Sequence, residues 1–176
     1  LVALGACAQL GSVLGLANTV PVQTLLETVG IPGQGRQDDD RRVPDVPKLT
    51  PAVVPVDHVV RVDAFVPGCP PEHERLWDVI ELFATALATG QSLPAPGSVL
   101  GAEEVALCQE CPRERPAGPL LECVRPHLVQ PDGTTCLLDQ GLLCSGPATR
   151  GGCGALCPAM GAPCRGCYGP LSGVED

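Results

Sequence analysis

A chain of 176 residues suffices for one ordinary domain or two small ones. Its formal charge of −9 argues against a nucleic-acid partner, since phosphate binding needs clustered Lys and Arg, and no apolar run is long enough to span a membrane. Apolar residues make up 44%, yet the only aromatics are Phe65, Phe83, Trp77 and Tyr168, so a core must be packed from Leu, Val and Ala; 21 Gly and 20 Pro leave half or more of the chain to loops.

Leu1-Val-Ala-Leu-Gly5 reads as a buried strand running into a Gly-rich turn around Cys7 and Gly11. The start in mid-strand, without Met, predicts that Leu1 is an internal residue of a longer protein and that any targeting signal lies outside this sequence. A softer helical stretch through Leu14, Leu16 and Val20 follows, up to Pro21. Residues 31–55, rich in Pro, Gly and charge, read as a surface excursion in which Gln37-Asp-Asp-Asp-Arg-Arg42 is a solvated loop. Val59 to Val66 reads as a second strand, ending in Pro67-Gly-Cys-Pro-Pro71. A helix should follow, with Pro71 near its first turn, Glu72 and Glu74 at its positive end and Gly90 as its stop. Leu76, Ile80, Phe83 and Leu87 form an apolar stripe at helical spacing, widened by Trp77 and Ala84, and read as core-facing.

Strand, loop and helix in repetition predict a parallel α/β sheet over residues 1–91, in which ligands sit off the carboxyl ends of the strands. Cys7 and Cys69 each follow a strand directly, so both should reach one sheet edge. After the Leu93-Pro-Ala-Pro-Gly97 linker, residues 92–176 are rich in turns and poor in periodic apolar segments. Such a stretch buries too little apolar surface to offset its ordering entropy, so something must staple it.

Cysteines are the obvious staples. Of eleven, Cys7 and Cys69 stand alone and nine crowd between positions 108 and 167. An odd number fits poorly with a closed disulfide framework, and dense cysteine in a chain without visible secretion signals points to metal. Two C-x2-C pairs are present, Cys108-Gln-Glu-Cys111 and Cys164-Arg-Gly-Cys167, with Cys123, Cys136, Cys144, Cys153 and Cys157 between them. Two four-cysteine sites need eight thiolates, which leaves one spare. On spacing alone, zinc and iron–sulfur clusters remain equally open, because both use C-x2-C pairs. His58, His73 and His127 are better read as surface or loop residues, and no side-chain set suits acid–base or nucleophilic catalysis.

Taken in order, four motifs resemble the small subunit of nickel–iron hydrogenases: Gly5-Ala-Cys-Ala8, Val66-Pro-Gly-Cys-Pro-Pro71, Cys136-Leu-Leu-Asp-Gln-Gly-Leu-Leu-Cys144-Ser-Gly-Pro, and Ala162-Pro-Cys-Arg-Gly-Cys-Tyr-Gly-Pro170. The likeness covers nearly the whole chain and is strongest toward the cytoplasmic, cofactor-coupled branch of sulfhydrogenase delta and F420-non-reducing types. It implies a flavodoxin-like parallel sheet fragment over 1–91, followed by a loop-rich, Cys-rich iron–sulfur domain over 92–176.

The resemblance also implies a set of ligands. Cys108, Cys111, Cys136 and Cys144 match the distal [4Fe-4S] cluster; the membrane-attached and periplasmic branch has His at the first of these, so Cys108 favours the cytoplasmic one. Cys153, Cys157, Cys164 and Cys167 match the medial cluster, where Cys157 replaces a Pro found in three-iron members. Cys7 and Cys69 match two ligands of the proximal cluster, whose other two come from an N-terminal C-x2-C that this sequence lacks. That departure, and an ending at Ser172-Gly-Val-Glu-Asp176 where family members continue, predict a truncated chain with an incomplete proximal site. Cys123 matches no ligand and is read as a structural or free thiol.

The implied role is electron transfer between the nickel–iron site of a large subunit and a flavin or iron–sulfur acceptor subunit. NAD(P), F420, polysulfide and heterodisulfide systems all remain open as the final acceptor. Two alternatives stand beside it. A complex I-like small subunit shares the first two motifs but carries a single cluster, and a zinc-stapled interaction module has no redox role.

Overall fold

The structure, a computed structural model, describes residues 1–29, 50–116 and 122–174. Most of the expected surface excursion, including the charged run at 37–42, lies outside the described residues.

Strand β1 (Val2–Leu4), strand β2 (Ala64–Val66) and strand β3 (Ser98–Val99) form a parallel sheet in the order β1-β2-β3, with Val2 opposite Ala64 and Leu4 opposite Val66. The alternation of strand and helix in the sequence had this consequence: parallel neighbours require crossovers, and helices supply them. The second strand is shorter than its apolar run predicts. It begins at Ala64, opposite Val2 of β1. The ladder closes where the Leu1 carbonyl accepts the N–H groups of Asp63, at 2.9 Å, and Ala64, at 3.4 Å. Val59 and Val60, upstream of that point, are exposed. β3 falls within 92–176 yet belongs to this sheet, through Ala64 opposite Ser98 and Phe65 opposite Val99.

Helix α1 (Ala6–Leu10) starts directly off β1 and stops at Gly11, whose φ of 70° is left-handed. Helix α2 (Ser12–Gly15) and a 3-10 turn over Leu16–Thr19 make up the softer helical stretch. Helix α3 (Val22–Val29), which follows Pro21, was not foreseen in the sequence. Helix α4 (His73–Thr89) has the boundaries its punctuation predicts, with Glu74 in the first turn and Gly90 as a left-handed C-cap at φ 71°.

The face α4 buries differs from the expected one. Val79 and Ala86 are buried and Leu76 and Phe83 half-buried, whereas Ile80, Leu87, Trp77 and Ala84 are exposed. The helix carries two overlapping apolar stripes. The stripe holding the smaller side chains is the one turned inward, with Val79 facing Gly101, where a Cβ would meet its Cγ2 at 3.6 Å.

Beyond the sheet, strand β4 (Glu103–Ala106) pairs antiparallel with strand β5 (Arg150–Gly151), and helix α5 (Leu156–Ala159) completes the regular structure among the described residues. Short 3-10 turns and loops do the rest. The core here is small: Leu107, Ala155 and Cys164 are buried together, and Cys111, Cys144 and Cys153 pack against them. Cysteine side chains thus occupy places that Leu or Val would fill elsewhere.

Candidate metal centres

The carboxyl edge of the sheet delivers the first two cysteines. Gly5 donates its N–H to the Val66 carbonyl at 2.7 Å, and Ala6 donates to the Gly68 carbonyl at 2.8 Å, so the loops carrying Cys7 and Cys69 run side by side. Both thiols are exposed. Gly68 has φ 122°, and a Cβ there would stand 2.5 Å from the Pro71 Cα, so only glycine permits this crossing.

The remaining thiols fall into two groupings. In one, Cys108 lies close enough to Cys144, Cys111 and Cys136 to feel their charge; burial pushes its thiol up first, and the three neighbours push it further. Gly146 lies against the Cys108 and Cys144 sulfurs, where a Cβ would come within 3.3 Å and 3.6 Å of them. In the other grouping, burial pushes Cys167 up to about 11, with added contributions from Cys153, Cys164, Cys157 and Cys69. Burial likewise raises Cys164, against the lowering effect of the Gly166 N–H and the Thr149 hydroxyl. Cys153 is raised by burial first, and the Glu110 carboxylate adds to it.

These groupings adjoin each other. The Cys164 N–H donates to the Cys144 sulfur at 3.2 Å, which joins the second grouping to the first. At its other side the second grouping reaches the sheet edge, where Gly68 donates to the Cys167 carbonyl at 3.2 Å. The second grouping thus touches the Cys69 loop through Cys167 and the first grouping through Cys164. Cys123 is exposed, and none of these contacts involves it.

Four thiols on separate turns can each take one corner of a tetranuclear cube. Among the described residues no three His, Cys, Asp or Glu side chains converge closely enough to hold one metal ion. A cube asks for less convergence, because each thiolate binds a different iron, whereas a zinc site draws four ligands onto one atom. Beside the second grouping the Tyr168 hydroxyl is buried, and burial pushes it up to about 12 against the lowering effect of the Glu72 backbone. A neutral phenol there still has its O–H to donate, which suits an acceptor such as a cluster sulfide.

Sequence reasoning missed the charged side chains that hold these loops. Arg113, with 3% of its side chain exposed, donates to the carbonyls of Pro158 at 2.5 Å, Asp132 at 2.6 Å and Thr135 at 2.9 Å. Pro158 follows Cys157 and Thr135 precedes Cys136, so one guanidinium ties the two groupings together. Glu110, inside the first C-x2-C, accepts from the backbone on both sides of Cys153. A lone Arg or Glu in a loop carries no pattern that would reveal such a role.

Residues 1–83 match the family described as NADH ubiquinone oxidoreductase, 20 Kd subunit. The chain is 38% identical over 180 residues to a component of the F420-non-reducing hydrogenase of Methanothermobacter thermautotrophicus, covering 99% of this chain and 55% of that protein. It is 37% identical to the iron-sulfur subunit of the F420-non-reducing hydrogenase of Archaeoglobus profundus, covering 100% of this chain and 58% of the relative. To the sulfhydrogenase 2 subunit delta of Pyrococcus furiosus it is 32% identical, over 97% of this chain and 54% of that one. The chain belongs to the nickel–iron hydrogenase small-subunit family, which is related to the 20 kDa subunit of complex I. Its relatives are subunits of hydrogenases, which are oxidoreductases, and it spans a little over half their length. Among the described residues, no helix is long and apolar enough to cross a membrane.

Proposed function

We propose that this chain conducts electrons within a nickel–iron hydrogenase, between a large subunit that holds the hydrogen-splitting site and an acceptor subunit. Cys153, Cys157, Cys164 and Cys167 hold one [4Fe-4S] cluster, and Cys108, Cys111, Cys136 and Cys144 hold a second. Cys7 and Cys69 supply half of a third, at the sheet edge. The clusters supply one-electron redox chemistry when bound; the chain supplies their spacing, their exclusion from water and the charges around them.

One observation supports this reading: Cys108 has Cys144, Cys111 and Cys136 as neighbours, Cys167 has Cys153, Cys164, Cys157 and Cys69, and the Cys164 N–H donates to the Cys144 sulfur between them. A structural staple needs no such sequence of sites, whereas electron transfer requires neighbouring sites in line. The contact between Gly68 and Cys167 extends the line toward Cys7 and Cys69. The name of the Archaeoglobus relative, an iron-sulfur subunit, agrees with the choice of metal.

The test is anaerobic purification followed by iron, sulfide and zinc analysis. About eight irons per chain are expected from two four-iron clusters, with a brown colour bleached by reductant. Tightly bound zinc without iron would overturn the reading in favour of a stapled interaction module.

A further inference from the structure

Gly152 and Gly154, the residues flanking Cys153, are held by side chains from two other parts of the fold. The Glu110 carboxylate accepts the Gly152 N–H through Oε1 and the Gly154 N–H through Oε2, the latter at 2.8 Å. From the opposite side, Arg75 on α4 donates its Nε–H to the Gly152 carbonyl at 2.8 Å, while its Nη2 pairs with Glu103 Oε1 at 3.0 Å. Gly152 itself has φ 115°, and a Cβ there would approach the Gly101 carbonyl oxygen to 3.1 Å. At Gly151 a Cβ would come within 2.5 Å of Glu110 Oε1. The backbone that presents Cys153 is thus held by a carboxylate on the N–H groups of Gly152 and Gly154 and by a guanidinium on the Gly152 carbonyl.

We propose that Glu110 and Arg75 are positioning residues for Cys153 and that their opposed charges set the reduction potential of the cluster bound there, which rests on the ligand reading above. Reduction adds an electron to a site that already carries thiolate charge. A carboxylate hydrogen-bonded at both flanks of one ligand opposes that electron, and a guanidinium on the peptide that joins Gly152 to Cys153 favours it. The carboxylate also occupies two backbone N–H groups that could otherwise soften the charge on sulfur.

The test compares full chains loaded with clusters, as wild type, Glu110→Gln and Arg75→Gln, by redox titration followed by electron paramagnetic resonance. Glu110→Gln raises the midpoint of one cluster signal by about tenfold in its one-electron equilibrium, or about 59 mV. Arg75→Gln lowers the midpoint of that same signal. Opposite movements of one signal at unchanged iron content support the proposal, because loosened packing alone carries no sign. Unmoved signals, or movement in one direction for both variants, overturn it and leave the cluster reading standing. A wild type that binds no iron removes the ligand reading itself. Should Glu110→Gln lose a cluster, amide hydrogen exchange at Gly152 and Gly154 decides: faster exchange there than elsewhere supports the grip, and unchanged exchange overturns it.

Discussion

Cys123 is the thiol that falls outside the two proposed sets of four. It sits exposed beside Val124, whose N–H donates to the Gly141 carbonyl at 2.8 Å, and the local structure depends on that backbone contact rather than on sulfur. Cys123→Ser should therefore leave iron content and reduced-state spectra unchanged; disappearance of a whole cluster would show that the ligand sets are wrongly drawn. The two C-x2-C pairs were legible in the sequence because their spacing is local, whereas the division of the other cysteines between two sites was implied only by the resemblance. Glu110, Arg75 and Arg113 were not legible. Each acts across the chain on a backbone group, and backbone groups leave no mark in a sequence.

At the scale of elements, α4 shows where periodicity stops being informative. Its boundaries follow from Pro71, Glu74 and Gly90, all local signals. Its buried face does not, since Leu76 and Phe83 belong to two stripes at once, one continued by Ile80 and Leu87 and the other by Val79 and Ala86. Choosing between them requires knowing what lies opposite. The consequence is measurable by urea unfolding. Val79→Ala should cost about 1–2 kcal/mol, from lost burial and a small cavity. Leu87→Ala, at a side chain 76% exposed, should change stability by no more than about 0.5 kcal/mol. The reverse ranking would restore the stripe first read from the sequence.

At the scale of the molecule, burying thiols makes the metal-free chain sensitive to alkali. Cys167 titrates at about 11 in the fold against an ordinary 9.0, chiefly through burial, so the fold favours its neutral form. A group raised in this way contributes its stability fully below about 9, and that contribution is lost as the pH climbs through about 11. Cys108, Cys153 and Cys164 are shifted in the same direction. Under reductant, the urea midpoint of the metal-free chain should fall across this window, while the loaded chain, whose thiolates are already committed to metal, should show no such fall. A flat profile for the metal-free chain would mean that its thiols are more open to water than the structure shows.

The hydrogen bond from Gly68 to Cys167 also has a bearing on how the protein is made. β1 waits for β2, which lies some sixty positions later, and the loop after β2 waits for Cys167, about a hundred positions later still. A ribosome adding roughly 5–20 residues per second exposes the earliest thiols for seconds before their neighbours emerge. Cys7 and Cys69 cannot meet the second grouping of thiols until the C-terminal loop has left the exit tunnel. Under the proposed ligand sets, Cys108, Cys111, Cys136 and Cys144 are all available once synthesis has passed Cys144, whereas the grouping that adjoins the sheet edge is complete only after Cys167.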